Sequence, residues 1–157
     1  ILLLLSLFGS GNIYNLQDTT RNILPSEEFE GIWIADSSDL TYEITFSKKV
    51  IYLKMIDRHV ESILGSIKIL KNNKLIKQRK TNDSTDFPLI GMIENKDKLS
   101  LTYSEPNVKT GNISFILDST RKKASWLLKQ NEGFVLPNET KKKYEMPFEL
   151  TFRKKED

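Results

Sequence analysis

Apolar and polar residues alternate along most of the chain from Phe29 onwards. The clearest case is "LTYEITF", residues 40–46, in which Leu40, Tyr42, Ile44 and Phe46 alternate with polar neighbours. Successive side chains of a β-strand point to opposite faces, so this pattern is typical of a strand with one buried and one solvated face. A first apolar run, "GIWIA", precedes it and predicts a hairpin over residues 29–46.

Further short runs of the same kind follow, separated by polar turns. They are "VIYLKMI" (50–56), "SILGSIKIL" (62–70), "KLIKQRK" (74–80), "FPLIGMIE" (87–94), "KLSLTYS" (98–104), "NISFILD" (112–118), "ASWLLKQ" (124–130) and "PFELTFR" (147–153). Lys48 and Lys49 are the predicted turn between the second and third strands, and Gly65 predicts a bulge or bend. Asn72 and Asn73 predict a type I′ hairpin turn, because Asn tolerates the left-handed backbone.

These runs predict an all-β, antiparallel fold of about eight to ten strands. No stretch has helical period, so there are no helices to connect parallel strands. Tight turns between neighbouring strands indicate a meander, which closes either as a barrel or as a two-sheet sandwich. Strand spacing alone does not distinguish the two.

The chain has 157 residues, which predicts one domain, over residues 29–157, after an irregular segment at 12–28. Residues 1–11 differ from the rest. The apolar run "ILLLLSLF" is too short to span a bilayer and is followed by the small residues "GSG". This is typical of a truncated signal peptide, so we expect an exported protein, periplasmic or secreted. The alternative is a buried first strand or helix.

Composition excludes several kinds of site. The absence of Cys removes disulfides, thiolate zinc sites and cysteine nucleophiles. The net charge of +3 is too small to indicate nucleic acid binding. The charge is unevenly spread, since residues 48–80 carry a net +8 and residues 17–46 a net −6.

A row of basic side chains on the predicted strands offers one candidate surface. Its members are Lys68, Lys71, Lys74, Lys77, Arg79 and Lys80. Such a face could bind an anionic glycan or a protein partner. The alternative is an ordinary solvated strand face, whose lysines protect the edge from aggregation.

Candidate catalytic chemistry is sparse. The sequence has no glycine-rich phosphate loop, no nucleophile elbow and no zinc-protease motif. Its one histidine, His59, would share a strand face with Asp57 and Glu61 if "MIDRHVE" were extended, and such a trio could bind a divalent metal. A polar turn is the better interpretation of that segment. We therefore predict a protein that is not an enzyme and that has neither cofactor nor metal.

The interior of a barrel remains as the principal candidate site. Six side chains at inward-facing positions are the predicted ligand contacts: Tyr42, Phe46, Met55, Tyr103, Phe115 and Trp126. Leu53 and Phe148 are also predicted to face inward. An eight-strand barrel can hold one small ligand, so we expect a non-catalytic binding barrel for a small apolar or amphipathic molecule. Because aromatic rings use volume quickly, the interior is itself expected to be packed by these side chains, with at most a partial pocket at one mouth that Phe134, Val135 and Pro137 could cover.

The triplet Gly31-Ile32-Trp33 resembles the Gly-x-Trp signature on the first strand of lipocalins and related calycin barrels. This resemblance implies that Trp33 closes one end of an antiparallel barrel. It also implies that Arg153, at the end of the last strand, stacks over the indole as a cation–π pair. The leader, the "GIW" strand and the hairpin "ILGSIKILKNNK" are similar to those of small exported bacterial domains of unknown function with a lipocalin-like barrel. That likeness implies a fold and a compartment, and no activity.

Overall fold

The computed structural model describes residues 26–81, 87–106, 110–130 and 144–156. This part of the chain forms nine strands and no helix, which confirms the all-β class. The strands are β1 (Gly31–Ser37), β2 (Leu40–Leu53), β3 (Arg58–Lys71), β4 (Lys74–Arg79), β5 (Leu89–Asn95), β6 (Lys98–Tyr103), β7 (Gly111–Leu117), β8 (Lys123–Gln130) and β9 (Glu149–Lys154). The expected leader, most of the segment 12–28 and the loop residues Phe134, Val135 and Pro137 lie outside the described residues.

Eight of the nine strands close into an antiparallel barrel. The ring runs β1-β2-β3-β5-β6-β7-β8-β9, and β9 returns to β1 through the pairs Trp33–Lys154 and Ile34–Arg153. Because the sheet closes on itself, the fold is a barrel and not a sandwich. Each strand has one face towards the interior, which is the physical reason for the alternation in the sequence.

The ninth strand, β4, is the first half of a divided barrel strand. Both β4 and β5 pair with β3 in the antiparallel sense, β4 along Ile67–Lys71 and β5 along Ile63–Gly65. They therefore run in the same direction, one after the other, separated by residues 80–88. At the break the amide of Thr81 donates to Ser66 Oγ at 3.1 Å. This division accounts for one of the two runs by which the sequence pattern exceeds the ring. The other, residues 50–56, is the continuation of β2 and the turn after it.

The β2–β3 hairpin is longer than the sequence pattern predicts. The turn expected at Lys48 and Lys49 is wrong, because β2 continues to Leu53 and the chain reverses at residues 54–57. Neither lysine interrupts the extended backbone, and both are paired in register with β3. The positive φ needed for the reversal falls on Asp57 instead, at 50°.

Two further turn and bend predictions have different outcomes. Asn72 and Asn73 have φ of 49° and 61°, which confirms the predicted type I′ turn between β3 and β4. The predicted bulge at Gly65 is wrong, since that residue is in register with both Phe46 and Leu89. A Cβ at Gly65 would lie 2.8 Å from the Leu89 side chain and 2.9 Å from that of Phe46, so close packing explains the glycine.

The barrel has two ends, which we define by the segments that meet there. At the lower end β1 begins and β9 finishes, beside the turns at 54–57, 96–97 and 118–122. At the upper end lie the turns at 38–39 and 72–73 together with segments 104–106 and 144–148. Among the described residues there is no helix with the length and apolar character that crossing a bilayer requires.

The interior is lined by one cluster of buried side chains. Five of the six predicted ligand contacts belong to it: Tyr42, Phe46, Tyr103, Phe115 and Trp126. The inward orientation predicted for Met55 is wrong, because that side chain is 98% exposed in the 54–57 turn. Leu53 and Phe148 are also exposed. Leu53 and Met55 lie past Phe46, where β1 no longer pairs with β2. Phe148 lies just before β9 begins.

Candidate functional site

The lower end of the barrel is closed by the segment 26–30, which precedes β1. Trp33 is fully buried, and its indole nitrogen donates to the carbonyl of Phe29 at 2.8 Å. The amide of Phe29 in turn donates to the Ser26 carbonyl at 2.9 Å, which makes the segment a tight turn. Gly31 joins this turn to β1 with a φ of 106°, a conformation that strongly favours glycine.

Lys154, and not Arg153, lies over Trp33. The Lys154 ammonium is 5.5 Å from the centre of the indole ring and donates to the carbonyls of Glu27 at 3.2 Å and Glu28 at 2.9 Å. Arg153 points outward, 3.6 Å from the Asp36 carboxylate. The stack predicted for Arg153 is therefore wrong. Alternation is the reason: Phe152 faces the interior, so its neighbour Arg153 faces the solvent.

The upper end has a buried carboxylate. Glu105 is only 6% exposed, and its Oε2 accepts from the Tyr103 hydroxyl at 3.1 Å and from the Glu145 amide at 3.2 Å. Burial, and then the neighbouring Glu105 charge, raise the pKa of Tyr103 well above its ordinary value. Arg79 donates to the carbonyl of Ser104 beside this pair. A carboxylate, a phenol and a guanidinium are thus gathered inside one end of the barrel.

A second closing segment, residues 144–148, covers this polar group. Met146 is 1% exposed and belongs to the interior cluster. The indole nitrogen of Trp126 donates to the Pro147 carbonyl at 3.0 Å, and the amide of Leu128 donates to the Phe148 carbonyl at 2.7 Å. The ring of Tyr144 lies 5.7 Å from that of Tyr103. The segment therefore crosses the upper end and inserts one flexible side chain into it.

The predicted ligand contacts are divided between different places. Phe46 and Phe115 lie in a packed aromatic group with Trp33, with ring centres 5.2 Å apart for the two phenylalanines and 5.1 Å for Phe115 and Trp33. Trp126 is the cross-strand partner of Phe115, and the ring of Phe152 lies within 6 Å of both, at 5.8 Å from Trp126 and 5.9 Å from Phe115. Tyr42 and Tyr103 lie towards the upper end. Burial and then the charge of Asp39 raise the pKa of Tyr42. Met55 lies outside the barrel.

The seam between β1 and β9 is the weakest part of the ring. These strands are paired at two register positions only, both near the lower end. A surface depression of about 440 Å3 lies alongside the seam, lined by Asp36, Ser37, Ser125, Trp126, Leu127, Glu149, Leu150 and Thr151. The ion pair of Asp36 and Arg153 crosses the seam on the outside. Trp126 is thus in contact with both the depression and the upper closing segment.

Three of the six residues of the basic face predicted from the sequence form ion pairs with acidic residues. The Lys68 ammonium lies 2.6 Å from the Glu43 carboxylate, directly across β2 and β3, and Lys71 lies 2.8 Å from Asp39. Lys77 forms an ion pair with Glu145. Cross-strand pairing therefore explains why an acidic stretch precedes a basic one in the sequence. Binding of an anionic partner to this face stays a prediction.

The trio around His59 is not assembled. His59 is exposed on β3 with its ring centre 5.1 Å from that of Tyr52. Asp57 accepts a hydrogen bond from the Tyr52 hydroxyl, and Glu61 lies 3.5 Å from Lys48. Within the described ranges, no three His, Asp or Glu side chains are grouped so that they could hold a metal ion.

Four residues of the two closures were not recognised in the sequence: Glu105, Tyr144, Met146 and Lys154. Extending the alternation by two residues past Tyr103 would have placed Glu105 on the inner face, and the same step past Phe152 would have identified Lys154. No comparable signal exists for Tyr144 or Met146, because they lie in a connection outside the strands.

Comparison with known proteins adds no relative: no family model matches the chain, and neither the curated proteins nor the solved structures give a significant match. The closed eight-strand antiparallel barrel fits a lipocalin-like fold on its own geometry.

Proposed function

We propose that the protein is a non-catalytic, lipocalin-like binding barrel that takes a small amphipathic ligand at its upper end. The observation that carries the proposal is the buried Glu105–Tyr103 pair in an otherwise apolar interior. Burying a carboxylate is costly unless it is well paired. A barrel held together by packing alone would gain more from an apolar side chain at that position, so we assign Glu105 to the recognition of a polar head group.

Met146 gives the apolar part of the ligand a place to bind. It is an unbranched side chain with three rotatable bonds, and it enters the interior from a connecting segment and not from a barrel strand. A ligand tail that took its position would displace one side chain and leave the strand pairing intact. The lower end offers no such exchange, because Trp33 and Phe29 belong to β1 and to the turn directly before it.

The depression beside the β1–β9 seam provides an entrance to the same region. Opening the seam above Ile34 and Arg153 breaks no register pair between the described strands, and the exposed ion pair of Asp36 and Arg153 crosses it. Such surface ion pairs contribute little, about 0–1 kcal/mol. We also propose that the protein is exported and that it belongs with the small exported bacterial barrels. A carrier that works outside the cytoplasm is consistent with both.

Tryptophan fluorescence tests the proposal. Trp33→Phe leaves Trp126 as the only tryptophan, next to the site, whereas Trp126→Phe leaves Trp33 at the opposite end as the matched control. We would titrate both with dodecylamine, dodecanol and dodecanoate below their micelle-forming concentrations. A saturable change in Trp126 emission, with little change in Trp33 emission, is expected. The absence of a saturable response to all three amphiphiles, or equal responses of the two variants, would refute the proposal.

The head-group series tests the role of Glu105. Because the carboxylate attracts a cation and repels an anion, we expect dodecylamine to bind most tightly and dodecanoate most weakly. Glu105→Gln keeps the size and an acceptor oxygen for Tyr103 but removes the charge, so the preference should largely disappear. A preference that survives this substitution would assign recognition to another group.

A further inference from the structure

We propose that the β2–β3 ribbon, residues 47–62, docks on an anionic membrane surface and inserts its tip into it. The ribbon is the part of the hairpin that extends beyond the barrel. β1 pairs with β2 only as far as Phe46, and β5 pairs with β3 only from Ile63. Among the described strands, no other pairs with the ribbon; its base is held against the barrel, where Ser62 is buried and the Lys48 amide donates to the Glu30 carboxylate at 3.1 Å. With about 3.4 Å per residue, each of its two strands is roughly 20 Å long from the base to the tip at residues 54–57.

The ribbon is unusually apolar for an exposed element. Ten large apolar side chains are exposed in the described part of the chain, and five of them lie within seven residues at this tip: Val50, Tyr52, Leu53, Met55 and Ile56. Val50 and Tyr52 are on one face, Leu53 is on the other, and the remaining two are in the turn. A concentration of exposed apolar surface marks a site of interaction.

The shape of this apolar surface favours a bilayer over a second protein chain. A second copy of the chain would pair with the strand edges of the ribbon, as exposed strands commonly do. The most exposed apolar side chain, Met55, is instead in the turn, where no strand pairing reaches it. Apolar groups surround the tip on both faces and at its end, as insertion into a fluid apolar phase requires, whereas a flat partner would contact only one face.

Charge at the tip complements anionic head groups. Lys54 and Arg58 flank Met55 and Ile56, and both are exposed. The nearby acidic groups are engaged within the ribbon, Asp57 by the Tyr52 hydroxyl and Glu61 by Lys48. Long basic side chains beside an apolar tip can hold their charges at the level of the head groups while the apolar groups enter the acyl region.

The proposed membrane contact does not use the ligand site. The ribbon leaves the lower end, while Glu105 and the upper closing segment are at the opposite end. Docking would therefore leave the upper end in water. The two proposals are independent: the loss of vesicle binding in a ribbon variant should leave the amphiphile response of Trp126 unchanged.

Vesicle co-sedimentation of the full chain tests the inference. We would compare phosphatidylcholine vesicles with and without phosphatidylserine, using the Met55→Glu/Ile56→Glu double variant. Leu75→Glu/Ile76→Glu is the matched control, because these two β4 residues are also adjacent and are 53% and 57% exposed, beside 55% for Ile56. We expect the wild type and the control to bind vesicles with phosphatidylserine, and the ribbon variant to bind at least about tenfold more weakly.

Two further measurements distinguish insertion of the tip from adsorption through charge alone. Lys54→Glu/Arg58→Glu should weaken binding by a similar factor, and about 1 M salt should weaken wild-type binding, because it shortens the Debye length to about 3 Å. In Met55→Trp, brominated acyl chains should quench the added tryptophan, while the buried Trp33 and Trp126 serve as internal controls.

The inference is overturned if the wild type fails to sediment with vesicles containing phosphatidylserine, or if both double variants lose binding equally. It is also overturned if the wild type binds no vesicles but forms a concentration-dependent dimer that the Met55→Glu/Ile56→Glu substitutions dissociate. That outcome would assign the ribbon to self-association. Unchanged emission of Trp33 and Trp126 in each variant would establish that the barrel is still folded.

Discussion

The two ends of the barrel are closed by the same device and differ in what they enclose. At each end a five-residue segment, 26–30 or 144–148, crosses the opening, and a buried tryptophan donates its indole N–H to a carbonyl of that segment. At the lower end the remaining partners are apolar rings, backbone carbonyls, the Lys154 ammonium and a hydrogen bond of 2.8 Å from the Ser26 hydroxyl to the Glu30 carboxylate. At the upper end they include the carboxylate of Glu105 and the hydroxyl of Tyr103.

This difference indicates which end is structural. At the lower end the charge of Lys154 stays near the surface, and its amine is satisfied by two carbonyls and the face of Trp33. At the upper end the charge is inside, under a side chain from a connecting segment. A polar network inside a barrel restricts what can bind there more than it stabilises the fold. Substitutions at the two ends test this distinction, and the largest effect is expected at Trp33.

Replacing Trp33 by Ala should reduce the free energy of unfolding by about 3–5 kcal/mol. The substitution removes the largest buried ring of the lower end, together with its contact with Phe115 and its hydrogen bond to Phe29. Urea unfolding followed by circular dichroism would measure the loss. Trp33→Phe, which keeps a ring and removes only the hydrogen bond and part of the volume, should cost less. A nearly neutral Trp33→Ala would show that this residue does not close the barrel.

Replacing Lys154 by Met should reduce the free energy of unfolding by about 1–2 kcal/mol, because two charge-assisted hydrogen bonds and a cation–π contact are lost while the aliphatic stem is kept. Arg153→Met is the matched control on the outer face and should change stability by about 0.5 kcal/mol or less, since its ion pair with Asp36 is exposed. Thermal unfolding of the two variants would compare them. The opposite order of effects would restore Arg153 as the residue that covers Trp33.

The positions of most strands were predictable because each barrel strand has one solvent-exposed face and one buried face. Alternation in residues 40–46 placed Tyr42 and Phe46 inside correctly, and the Asn72-Asn73 turn was correct because only a few residues adopt two successive left-handed conformations readily. The same rule placed Met55 inside wrongly. Alternation states which residues share a face, but a neighbouring strand decides whether that face is covered, and β1 finishes its pairing with β2 at Phe46.

The sites at the two ends were predictable only in part, for a related reason. Trp33 was recognisable from the Gly-x-Trp triplet, but its cationic partner was placed one residue too early, and one position is enough to change the face. The Glu105 carboxylate accepts a hydrogen bond from the Glu145 amide because the strands bring their connections together, although the two residues are 40 positions apart in the sequence. The sequence pattern of a strand contains no information on such contacts between connections.

Alkaline pH should destabilise the upper end through Tyr103. Its pKa in the folded state is raised above the unfolded value of 10.0, so the folded state holds the proton more tightly. The stabilisation is complete below pH about 10 and is lost as the pH rises towards the folded pKa, by roughly 1 kcal/mol at pH about 11. Tyr103→Phe should remove this part of the pH dependence. Urea unfolding across that range would detect it, and equal slopes for wild type and Tyr103→Phe would contradict the buried position.

The smallest expected effect comes from the ion pairs that tie the two closures to their neighbours. Arg121 joins three lower-end segments, with Glu28 at 3.2 Å, Asp97 at 2.7 Å and the Lys96 carbonyl at 2.9 Å. Lys77 has the single partner Glu145. Arg121→Met should therefore cost about 0.5–1 kcal/mol and Lys77→Met about 0–0.5 kcal/mol, with both effects reduced at high salt.

Hydrogen exchange at the amides of Glu145 and Phe29 would show which closing segment is loosened when each ion pair is removed. Release of Lys77 should speed exchange at Glu145 and leave Phe29 unchanged, because the two segments lie at opposite ends of the barrel and each accepts a hydrogen bond from its own tryptophan. If Lys77→Met costs more than Arg121→Met, the upper segment is the more firmly fixed of the two. It would then be a poor candidate for displacement by a ligand, and the assignment of structural and binding roles to the two ends would have to be reversed.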